Sequence, residues 1–437
     1  MDRALYAYYG DDFTGSTDVL EVLASAGVRS VLFIGPPQER HVRRFSGCQA
    51  FGIAGDSRSR TPQWMSAHLP ALLARLGGFG VPITHYKTCA TFDSSPQIGS
   101  IGRALELGRE TLGGQFIPIV VAAPHLGRYV AFGNLFASAA GTVHRIDRHP
   151  TMRSHPVTPM HEADLRRHLA RQTAMLIGLI DLPTLARNAA AEALAGCVAA
   201  DDQAMLFDGV GAADLQQTGR LLWESACSQA LFCAGSSGLP YALLAPWRDA
   251  GLIPARRETP PRSRPVATLL IMSGSCSPVT ERQIRAALRA GYHGIALDPT
   301  ALLSAAHGRE AGELLVQQAV GSLRDGRSTV VYSALGPLSA GASASGEALG
   351  RRMGELLSRI LAESPVPRVL LAGGDTSSHA VAQLGLYALN WAGSLEPGAP
   401  LCRAHAEGHT GLEGLELVLK GGQVGSEEFF ERVRLGR

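Results

Sequence analysis

The sequence predicts an α/β protein with two domains, each built around a largely parallel sheet. Short apolar runs alternate with helix-length segments along most of the chain, as in βα units. With 437 residues, the chain is also too long for one ordinary core. A segment rich in proline and arginine interrupts the alternation at 251–265. This segment predicts a linker between an N-terminal domain at 1–250 and a C-terminal domain at 266–437.

The predicted strands of the first domain are apolar runs that end at glycine or at polar residues. They cover residues 4–9, 30–34, 50–54, 83–87, 117–123 and 175–180. The predicted helices have apolar residues at helical spacing and cover residues 64–76, 100–112, 163–173, 185–194 and 212–225. Residues 143–159 carry several histidines, arginines and prolines, so we expect an irregular loop there.

The same alternation predicts the elements of the second domain. Its strands are expected at 266–272, 291–297, 328–332 and 369–372. Its helices are expected at 277–290, 312–323, 347–361 and 378–384. Strands separated by helices in this way are typical of a parallel sheet.

The composition excludes several classes of protein. A hydrophobic content of 46% with 18% charged residues indicates a compact globule rather than a disordered chain. The formal charge of +2 gives no sign of a nucleic-acid partner. No apolar run approaches the roughly 18 residues of a membrane span, so no membrane partner is expected. Seven cysteines without CxxC pairs, and a start without a secretory signal, predict a cytoplasmic protein.

Lysine is rare in this chain. Among 40 basic residues only Lys87 and Lys420 are lysines, and all the others are arginine. Both lysines follow strand-like runs, which favours sites where a compact, flexible charge is needed. Chance survival of two lysines is the alternative.

Two carboxylates lie where the first predicted strand ends and the first helix begins. Asp11 and Asp12 follow the run at 4–9, and Thr14 is a suitable N-cap that would leave both before the helix. Ligands of open α/β sheets bind at the carboxyl ends of the strands. The pair is therefore a candidate ligand site, with a turn and a helix cap as the structural alternative.

Further polar residues follow two other predicted strands of the first domain. Because the ends of neighbouring parallel strands converge, a small polar pocket is expected there. Its candidate residues are Asp12, Arg58, Lys87, Asp93 and Ser94. An arginine matches a carboxylate bidentately, and acidic and hydroxyl groups suit sugar hydroxyls. Helix capping by the aspartates and a solvated Arg58 remain the alternative.

Glycine-rich turns follow three apolar runs of the second domain. They lie at 273–278, 373–377 and 420–425. Glycines let backbone N–H groups converge, and a following helix adds its positive end, so such turns suit phosphate. Ser273, Ser275, Thr376 and Ser377 would add hydroxyl donors, and Lys420 would reach a polyphosphate. Three turns in one domain favour nucleotide binding over simple tight turns.

Several familiar motifs are absent from the sequence. It contains neither GxxxxGK[ST] nor a GxGxxG after a strand, which counts against a P-loop and a classical dinucleotide fold. It has no HExxH, so a zinc site has no support, and no GxSxG, which counts against an α/β-hydrolase. The histidines of 143–161 are too loosely spaced to indicate a metal site, and the metal ligands stay unassigned.

The motifs together resemble the four-carbon acid sugar kinase family. The resemblance rests on Asp-Asp-Phe-Thr-Gly at 11–15, Ser57-Arg58, Tyr86-Lys87, Asp93-Ser94-Ser95 and the loop at 156–160, followed by the three glycine turns. The motifs occur in the family's order and span nearly the whole chain. The resemblance implies an N-terminal domain that binds a sugar acid and a C-terminal domain that binds ATP, with reaction in the cleft between the domains. Family substrates include threonate, erythronate, 3-oxo-tetronates and apiose-derived acids.

The resemblance also implies roles for individual residues. Those expected at the substrate are Asp11, Asp12, Arg58, Lys87, Asp93, Ser94 and Ser95. Those expected at the nucleotide are Ser273, Ser275, Gly373, Gly374, Asp375, Thr376, Gly421 and Gly422. One departure matters: the family commonly continues its Asp-Ser segment into Thr-Leu-Arg-Gly-Asn, whereas Pro96-Gln97-Ile98-Gly99 stands here. The missing arginine indicates a substrate related to a plain tetronate rather than identical to it.

The resulting hypothesis is an ATP- and Mg²⁺-dependent kinase that phosphorylates a hydroxyl of a small sugar acid. Asp12 is the first candidate for the catalytic base and Asp375 the second, with Lys87 balancing charge at the substrate. A nicotinamide-dependent dehydrogenase or isomerase of the same acids is one alternative, although the dinucleotide fingerprint is absent. A non-catalytic, ligand-responsive regulator is another, and the retained aspartates and Lys87 count against it. A homodimer is an assembly that the sequence permits.

Overall fold

The computed structural model describes residues 4–139, 141–155, 157–255, 263–336, 346–408 and 411–437, without the side chains of Asp375 and Thr376. Part of the predicted linker, and Pro156 of the predicted loop, lie outside these ranges. The chain forms two compact units. The first comprises Met1–Asp11, Val22–Ser30 and Val42–Arg257, and the second comprises Asp12–Glu21, Val31–His41 and Glu258–Arg437. Two short segments of the first 41 residues thus belong to the second unit.

The strands and helices of the described residues alternate along most of the chain. The strands are β1 (Tyr6–Gly10), β2 (Ser30–Ile34), β3 (Ala50–Ala54), β4 (Ile83–Lys87), β5 (Ile117–Val120), β6 (Arg128–Ala131), β7 (Asn134–Ala139), β8 (Thr142–Arg145), β9 (Ile177–Ile180), β10 (Ala204–Phe207), β11 (Leu231–Gly235), β12 (Leu270–Ser273), β13 (His293–Ala296), β14 (Thr329–Tyr332), β15 (Arg368–Ala372), β16 (Leu386–Glu396), β17 (Ala399–Ala406) and β18 (Glu416–Lys420). The helices are α1 (Phe13–Ser25), α2 (Glu39–Arg44), α3 (Pro62–Gly77), α4 (Ile101–Leu112), α5 (Leu165–Leu169), α6 (Leu182–Ala186), α7 (Ala190–Ala199), α8 (Ala212–Ser228), α9 (Gly238–Asp249), α10 (Pro278–Arg289), α11 (Pro299–Leu303), α12 (Gly308–Arg324), α13 (Gly346–Glu363), α14 (Gly374–Ala382) and α15 (Phe429–Leu435). Among the described residues there is no helix with the length and apolar character of a bilayer span.

The main sheet of the first unit is parallel throughout. Its strand order is β3-β1-β4-β11-β5-β10-β9. Buried apolar residues fill β1, β3, β5 and β10, as expected for strands covered on both faces. All the carboxyl ends of a parallel sheet lie on one edge, so the residues that follow these strands are brought together there.

Helices cover both faces of this sheet. On one face, the Trp247 ring of α9 lies 6.0 Å from the Tyr6 ring of β1. On the other face, α4 comes so close to β11 that a methyl group at Gly108 would lie 2.0 Å from the Phe232 ring. The first unit is therefore a doubly wound α/β fold.

A small antiparallel sheet, β6-β7-β8, also belongs to the first unit. The prediction of an irregular loop over 143–159 is wrong at its start, because β8 reaches Arg145. After β8 the described residues form only short turns, Ile146–Arg148 and Met152–Ser154.

The second unit has a mixed sheet in the order β13-β14-β12-β15-β18-β17-β16-β2. The first five strands are parallel, and the last three are added antiparallel. β2 joins this sheet by pairing with β16 through Leu32 and Phe33. The core beneath the parallel strands includes Ile271, Ile284 and Phe429, all fully buried.

The fold-class prediction is confirmed, whereas several element predictions need correction. The helix predicted at 185–194 is two helices, α6 and α7, separated by Asn188 in a left-handed conformation with φ of 55°. The helix predicted at 163–173 is the single short α5. The unpredicted elements are strands β6, β7, β10, β11, β16 and β17 and helices α2, α9, α11 and α15.

Candidate active site

Asp11 and Arg58 form a buried ion pair at the carboxyl edge of the first unit. Arg58 donates from Nη2 to Asp11 Oδ1 at 2.8 Å and from Nε to Asp11 Oδ2 at 3.2 Å. The Asp11 N–H donates to the carbonyl oxygen of Lys87 at 2.9 Å, which ties the end of β1 to that of β4. A bidentate pair has fixed geometry. Asp11 and Arg58 therefore hold each other in place, and the predicted solvated Arg58 is not observed.

Lys87 ends β4 between Gly10 of β1 and Gly235 of β11. Its side chain is 2% exposed. The ammonium makes no hydrogen bond or ion pair with any residue that the structure describes. Burying a charge without a partner is costly. Lys87 therefore suits an anionic ligand, and its predicted role in balancing substrate charge stays a prediction.

The Asp93 carboxylate lies among hydroxyl groups of the same unit. Thr91 donates to Oδ1 at 2.5 Å and Thr158 donates to Oδ2 at 3.3 Å. Burial acts to raise the pKa of Asp93, but the Arg58 guanidinium, the Thr91 hydroxyl and His155 outweigh it and keep this pKa below the usual value of an aspartate. Asp93 is therefore ionised at neutral pH. Thr91, Thr158 and His155 were not predicted at this site.

Ser94 and Ser95 use their hydroxyls within the protein. Ser94 Oγ lies 2.9 Å from His168 Nε2 and accepts from Gln172 Nε2 at 2.9 Å. Ser95 Oγ accepts from the N–H of Ile98 at 3.0 Å and so closes the turn that replaces the family's arginine segment. These contacts support the Asp93 loop, and direct substrate contact by either serine stays a prediction.

Three glycine turns lie side by side at the carboxyl edge of the second unit. Ser273, Ala372 and Lys420 are register partners on β12, β15 and β18. Gly274 N–H donates to Ala372 O at 3.1 Å, and Gly373 N–H donates to Lys420 O at 3.0 Å. Helix α10 begins at Pro278, the last residue of the first turn, and α14 begins at Gly374 within the second. The edge thus presents two helix N-termini and several backbone amides, a combination that binds phosphate.

The third turn is packed tightly against the first. A methyl group at Gly422 would lie 2.8 Å from Ser275 Oγ and 3.0 Å from Ser277 Cβ. Ser277 is the N-cap of α10, where its hydroxyl accepts from Val279 N–H at 3.1 Å. A side chain at 422 would therefore displace the start of α10.

Gly422→Ala is expected to raise the KM for ATP about tenfold, since overpacking typically costs about 1–3 kcal/mol and 1.4 kcal/mol is tenfold in affinity. The KM for the sugar acid should stay within twofold. Steady-state kinetics with each substrate varied in turn would measure both constants. Gly321→Ala in α12 is the control, because a methyl group there has no neighbour within 4 Å. An unchanged KM for ATP in Gly422→Ala would contradict the role of this turn.

Lys420 does not reach toward a polyphosphate. Its side chain is fully buried, and Nζ donates to Thr280 Oγ1 at 2.9 Å. The Thr280 hydroxyl donates in turn to Gly422 O at 2.9 Å. Lys420 therefore supports the third glycine turn from beneath, and burial lowers its pKa to about 7.

This burial predicts a pH dependence of stability. Unfolded, Lys420 titrates near its ordinary pKa of 10.5, whereas in the folded chain it titrates near 7. Between these values the unfolded chain holds a proton that the folded chain lacks, so the free energy of unfolding rises with pH. Below pH 7 both states are protonated and the contribution is constant. Urea unfolding from pH 6 to 10 should show this rise in the wild type relative to Lys420→Met, and parallel curves would contradict it.

Asp12 caps helix α1. Gly15 N–H donates to Asp12 Oδ1 at 2.7 Å, and α1 begins at Phe13. The expectation that Thr14 is the N-cap is therefore wrong. Asp12 also faces the second glycine turn, since a methyl group at Gly374 would lie 3.9 Å from Asp12 Oδ2 and 4.0 Å from Thr14 Oγ1. Asp12 thus has a capping contact on one oxygen and the phosphate-binding edge beside the other.

Three hydroxyls near this edge are buried without a hydrogen-bond partner in the described chain. They belong to Thr14, Ser273 and Ser377. Buried polar groups are nearly always paired, so orphan hydroxyls indicate a ligand or ordered water. Ser275 is 7% exposed and accepts from Ser277 N–H at 3.2 Å. The predicted side chains of Asp375 and Thr376 lie outside the described residues. The Thr14 contact was missed because the residue was taken as a helix cap.

The two halves of the chain match two different families of domains. Residues 6–243 match a family described as a sugar-binding N-terminal domain, and residues 270–430 match one described as a nucleotide-binding C-terminal domain. The 3-oxo-isoapionate kinase of Paraburkholderia graminis is 45% identical over 99% of this chain and 94% of its own length. The chain belongs to the four-carbon acid sugar kinase family.

Other relatives and structural neighbours are more distant. The 3-oxo-tetronate kinase of Pseudomonas fluorescens is 31% identical over 98% of this chain and 96% of its own length. A crystal structure from Salmonella typhimurium LT2, provisionally described as a tRNA synthase, has a TM-score of 0.76 at 27% identity and covers 99% of this chain and 98% of that one. Haemophilus influenzae HI1011 shares the fold, with a TM-score of 0.69 at 24% identity over 98% of this chain and 99% of that one.

The family membership confirms the prediction of an enzyme. The chain is a sugar-acid kinase, and ATP is one of its substrates. Among the three predicted functions, only the kinase agrees with the relatives. The glycine turns of the second unit and the Lys87 edge of the first are the features of this chain that suit the two substrates.

Proposed function

We propose that this kinase transfers the γ-phosphoryl group of ATP to a hydroxyl of a 3-oxo-isoapionate-like acid. The observation that carries the proposal is the set of three adjacent glycine turns with orphan hydroxyls, directly beside the Asp12 carboxylate. Phosphoryl transfer depends mainly on positioning and on charge stabilisation, and such an edge supplies both. The relative with 45% identity is named 3-oxo-isoapionate kinase. This name supports a branched acid, rather than a tetronate, as the substrate.

The turn at 95–98 supports a substrate that differs from a plain tetronate. Ser95 closes this turn by accepting N–H groups from Gln97 and Ile98. No arginine stands in residues 95–99. The substrate edge therefore relies on Lys87, Asp93 and the Asp11–Arg58 pair for its charge pattern.

Asp12 is the proposed catalytic base, with Asp375 as the second candidate. Asp12 and Asp11 are consecutive, so the base directly follows the residue that orders the substrate edge. Asp12 would accept the proton of the attacking hydroxyl, while the glycine turns hold the phosphates. The backbone amides of the turns do not accept protons. A carboxylate must therefore accept the proton of the attacking hydroxyl.

Mg²⁺ is the proposed metal. It is usually held by one or two carboxylates together with nucleotide phosphates, rather than by a cage of protein ligands. The described residues contain no group of three or more His, Cys, Asp or Glu side chains suited to a metal. Asp375, if it is not the base, would act through this ion, and the other metal ligands stay unassigned. When bound, the ion would neutralise charge on the phosphates.

Location and assembly are also proposals. ATP consumption suits the cytoplasm, and the homodimer permitted by the sequence remains to be measured. Sedimentation of the purified full chain would settle the assembly.

The proposed function is tested by binding followed by activity. Mg-ADP with 3-oxo-isoapionate, 3-oxo-tetronate, erythronate or threonate should raise the melting temperature, because a ligand at a hundredfold its Kd adds about 2.7 kcal/mol. The stabilising acids then enter an assay coupled to ADP formation. We expect the highest kcat/KM with 3-oxo-isoapionate. A tenfold preference for 3-oxo-tetronate would overturn the substrate assignment.

A further inference from the structure

A fourth glycine turn, which was not predicted from the sequence, lies in the first unit. It follows β11 and consists of Gly235, Ser236, Ser237 and Gly238, the last being the first residue of α9. The backbone packs so closely that a methyl group at Gly235 would lie 1.9 Å from Val120 O, and one at Gly238 would lie 1.8 Å from Ala122 O. Gly235 also has a φ of 142°, which favours glycine. The turn repeats the strand–turn–helix design of the phosphate-binding edge.

The start of α9 lies at the same end of the sheet as Lys87. Gly235 and Lys87 are register partners on adjacent strands, and Thr88 N–H donates to Gly235 O at 2.6 Å. The two strands therefore end together, and α9 begins three residues after this point.

The side chain of Lys87 lies on the face of the sheet that α9 covers. Residues two apart on a strand share a face, so Lys87 shares one with His85. His85 Nδ1 lies 2.6 Å from the Tyr6 hydroxyl, and the Tyr6 ring packs against Trp247 of α9. Burial, with a further effect of the Lys87 charge, lowers the pKa of His85 to about 3, so this histidine is neutral. Lys87 and the N-terminus of α9 are consequently two positive groups at the same end and on the same face of the sheet.

The first carboxylates that follow β1 and β4 along the chain have partners of their own. Asp11 is paired with Arg58, and Asp93 accepts from Thr91 and Thr158. Lys87 is 2% exposed and makes no hydrogen bond or ion pair with the described chain. Ser237 is fully buried, and its hydroxyl also has no partner there. A helix N-terminus, a buried cation and a buried orphan hydroxyl together describe a site for an anion.

Ser236 shows the contrast with a structural serine. Its hydroxyl donates to Val121 O at 2.8 Å and accepts from Gly238 N–H at 2.9 Å. The Ser236 hydroxyl therefore fixes the turn, whereas the Ser237 hydroxyl makes no hydrogen bond within the described residues.

We propose that the carboxylate of the sugar acid binds at the N-terminus of α9, between the Lys87 ammonium and the Ser237 hydroxyl. This inference rests on the proposed function, because it assigns one group of the same substrate. The carboxylate is the only permanent anion of such an acid, and it suits a site with a positive charge, a hydroxyl and a helix N-terminus. The site takes the place of the arginine that is missing after Asp93.

Ser237→Ala tests the proposal, with erythronate, 3-oxo-isoapionate and the neutral erythritol as probes. The variant should raise the KM for either acid about tenfold or more, since a hydrogen bond to a charged group contributes about 1.5–3 kcal/mol. The KM for ATP should not change. Without ligand, the melting temperature should be unchanged or higher, because the lost hydroxyl had no partner. Erythritol has a hydroxymethyl group in place of the carboxylate of erythronate, so any activity with it should be equal in both proteins.

Thr218→Val is the matched control. Thr218 in α8 is also fully buried with an unpaired hydroxyl, but it lies in the middle of a helix rather than at a strand end. Its kinetic constants should equal those of the wild type. An unchanged acid KM in Ser237→Ala, or an equal loss for ATP, would overturn the carboxylate site alone. A wild type that phosphorylates neither acid would overturn the proposed function, and this assignment with it.

Discussion

Asp12→Asn is expected to lower kcat by about 10²–10⁴-fold, the usual contribution of a general base. The Kd for ADP and the melting temperature should change little. Asparagine accepts the Gly15 N–H as well as aspartate does, so the cap of α1 is kept while the proton acceptor is lost. Stopped assays of ADP formation at saturating substrates would give kcat, and calorimetry with ADP alone would give the Kd.

Asp18→Asn is the control for this variant. Asp18 lies on α1 and loses the same charge, but it is six residues further along the chain than Asp12. Its kcat should equal that of the wild type. Near-normal turnover in Asp12→Asn would remove Asp12 from the mechanism and leave Asp375 as the candidate base.

Lys87→Met is expected to lower the activity of the enzyme and to raise its stability. The loss of the only unpaired buried cation at the substrate edge of the described chain is expected to lower kcat/KM for the acid by about 10–150-fold, corresponding to about 1.5–3 kcal/mol. The unliganded protein should nevertheless melt at a higher temperature, because methionine fills the same space without the cost of a buried charge. Kinetics and thermal unfolding on one preparation would show both effects.

Arg309→Met removes the same charge from the surface and serves as the control. The Arg309 side chain is 92% exposed, so neither kcat/KM nor the melting temperature should change beyond error. A Lys87→Met variant that melts at a lower temperature would mean that Lys87 has a structural role, and normal kinetics would exclude it from substrate binding.

The positions of the three glycine turns of the second unit were predictable because their signal is local. Glycine and serine follow apolar runs at 273–277, 373–377 and 420–425, and a strand that ends in such residues has few other structures available. The same reasoning failed for β11, since Leu231–Gly235 follows a long helix and was not recognised as a separate run. Without that strand, the Ser237 turn could not be proposed from the sequence.

The roles of the charged residues were harder to predict, because burial depends on distant parts of the chain. Lys87 and Lys420 both end strands, yet Lys87 lacks a partner and Lys420 donates to Thr280, 140 positions away in sequence. The Arg58 guanidinium pairs with Asp11 across 47 positions, a contact that was not predicted, and its role at the substrate stays a prediction. No local pattern distinguishes these outcomes. The pairing of β2 with β16 likewise cannot be predicted from a short stretch of sequence, because the two strands lie far apart along the chain.

The membership of Asp12–Glu21 and Val31–His41 in the second unit has a consequence for experiments on isolated halves. A fragment that starts near residue 258 would lack β2, the partner of β16, and Glu21, which accepts the Gly398 N–H at 3.0 Å. Such a fragment would expose a bare strand edge and is expected to aggregate on expression. Recombination between relatives at residue 258 would likewise exchange an incomplete module, so productive chimaeras must inherit Asp12–Glu21 and Val31–His41 from the same parent as the C-terminal half.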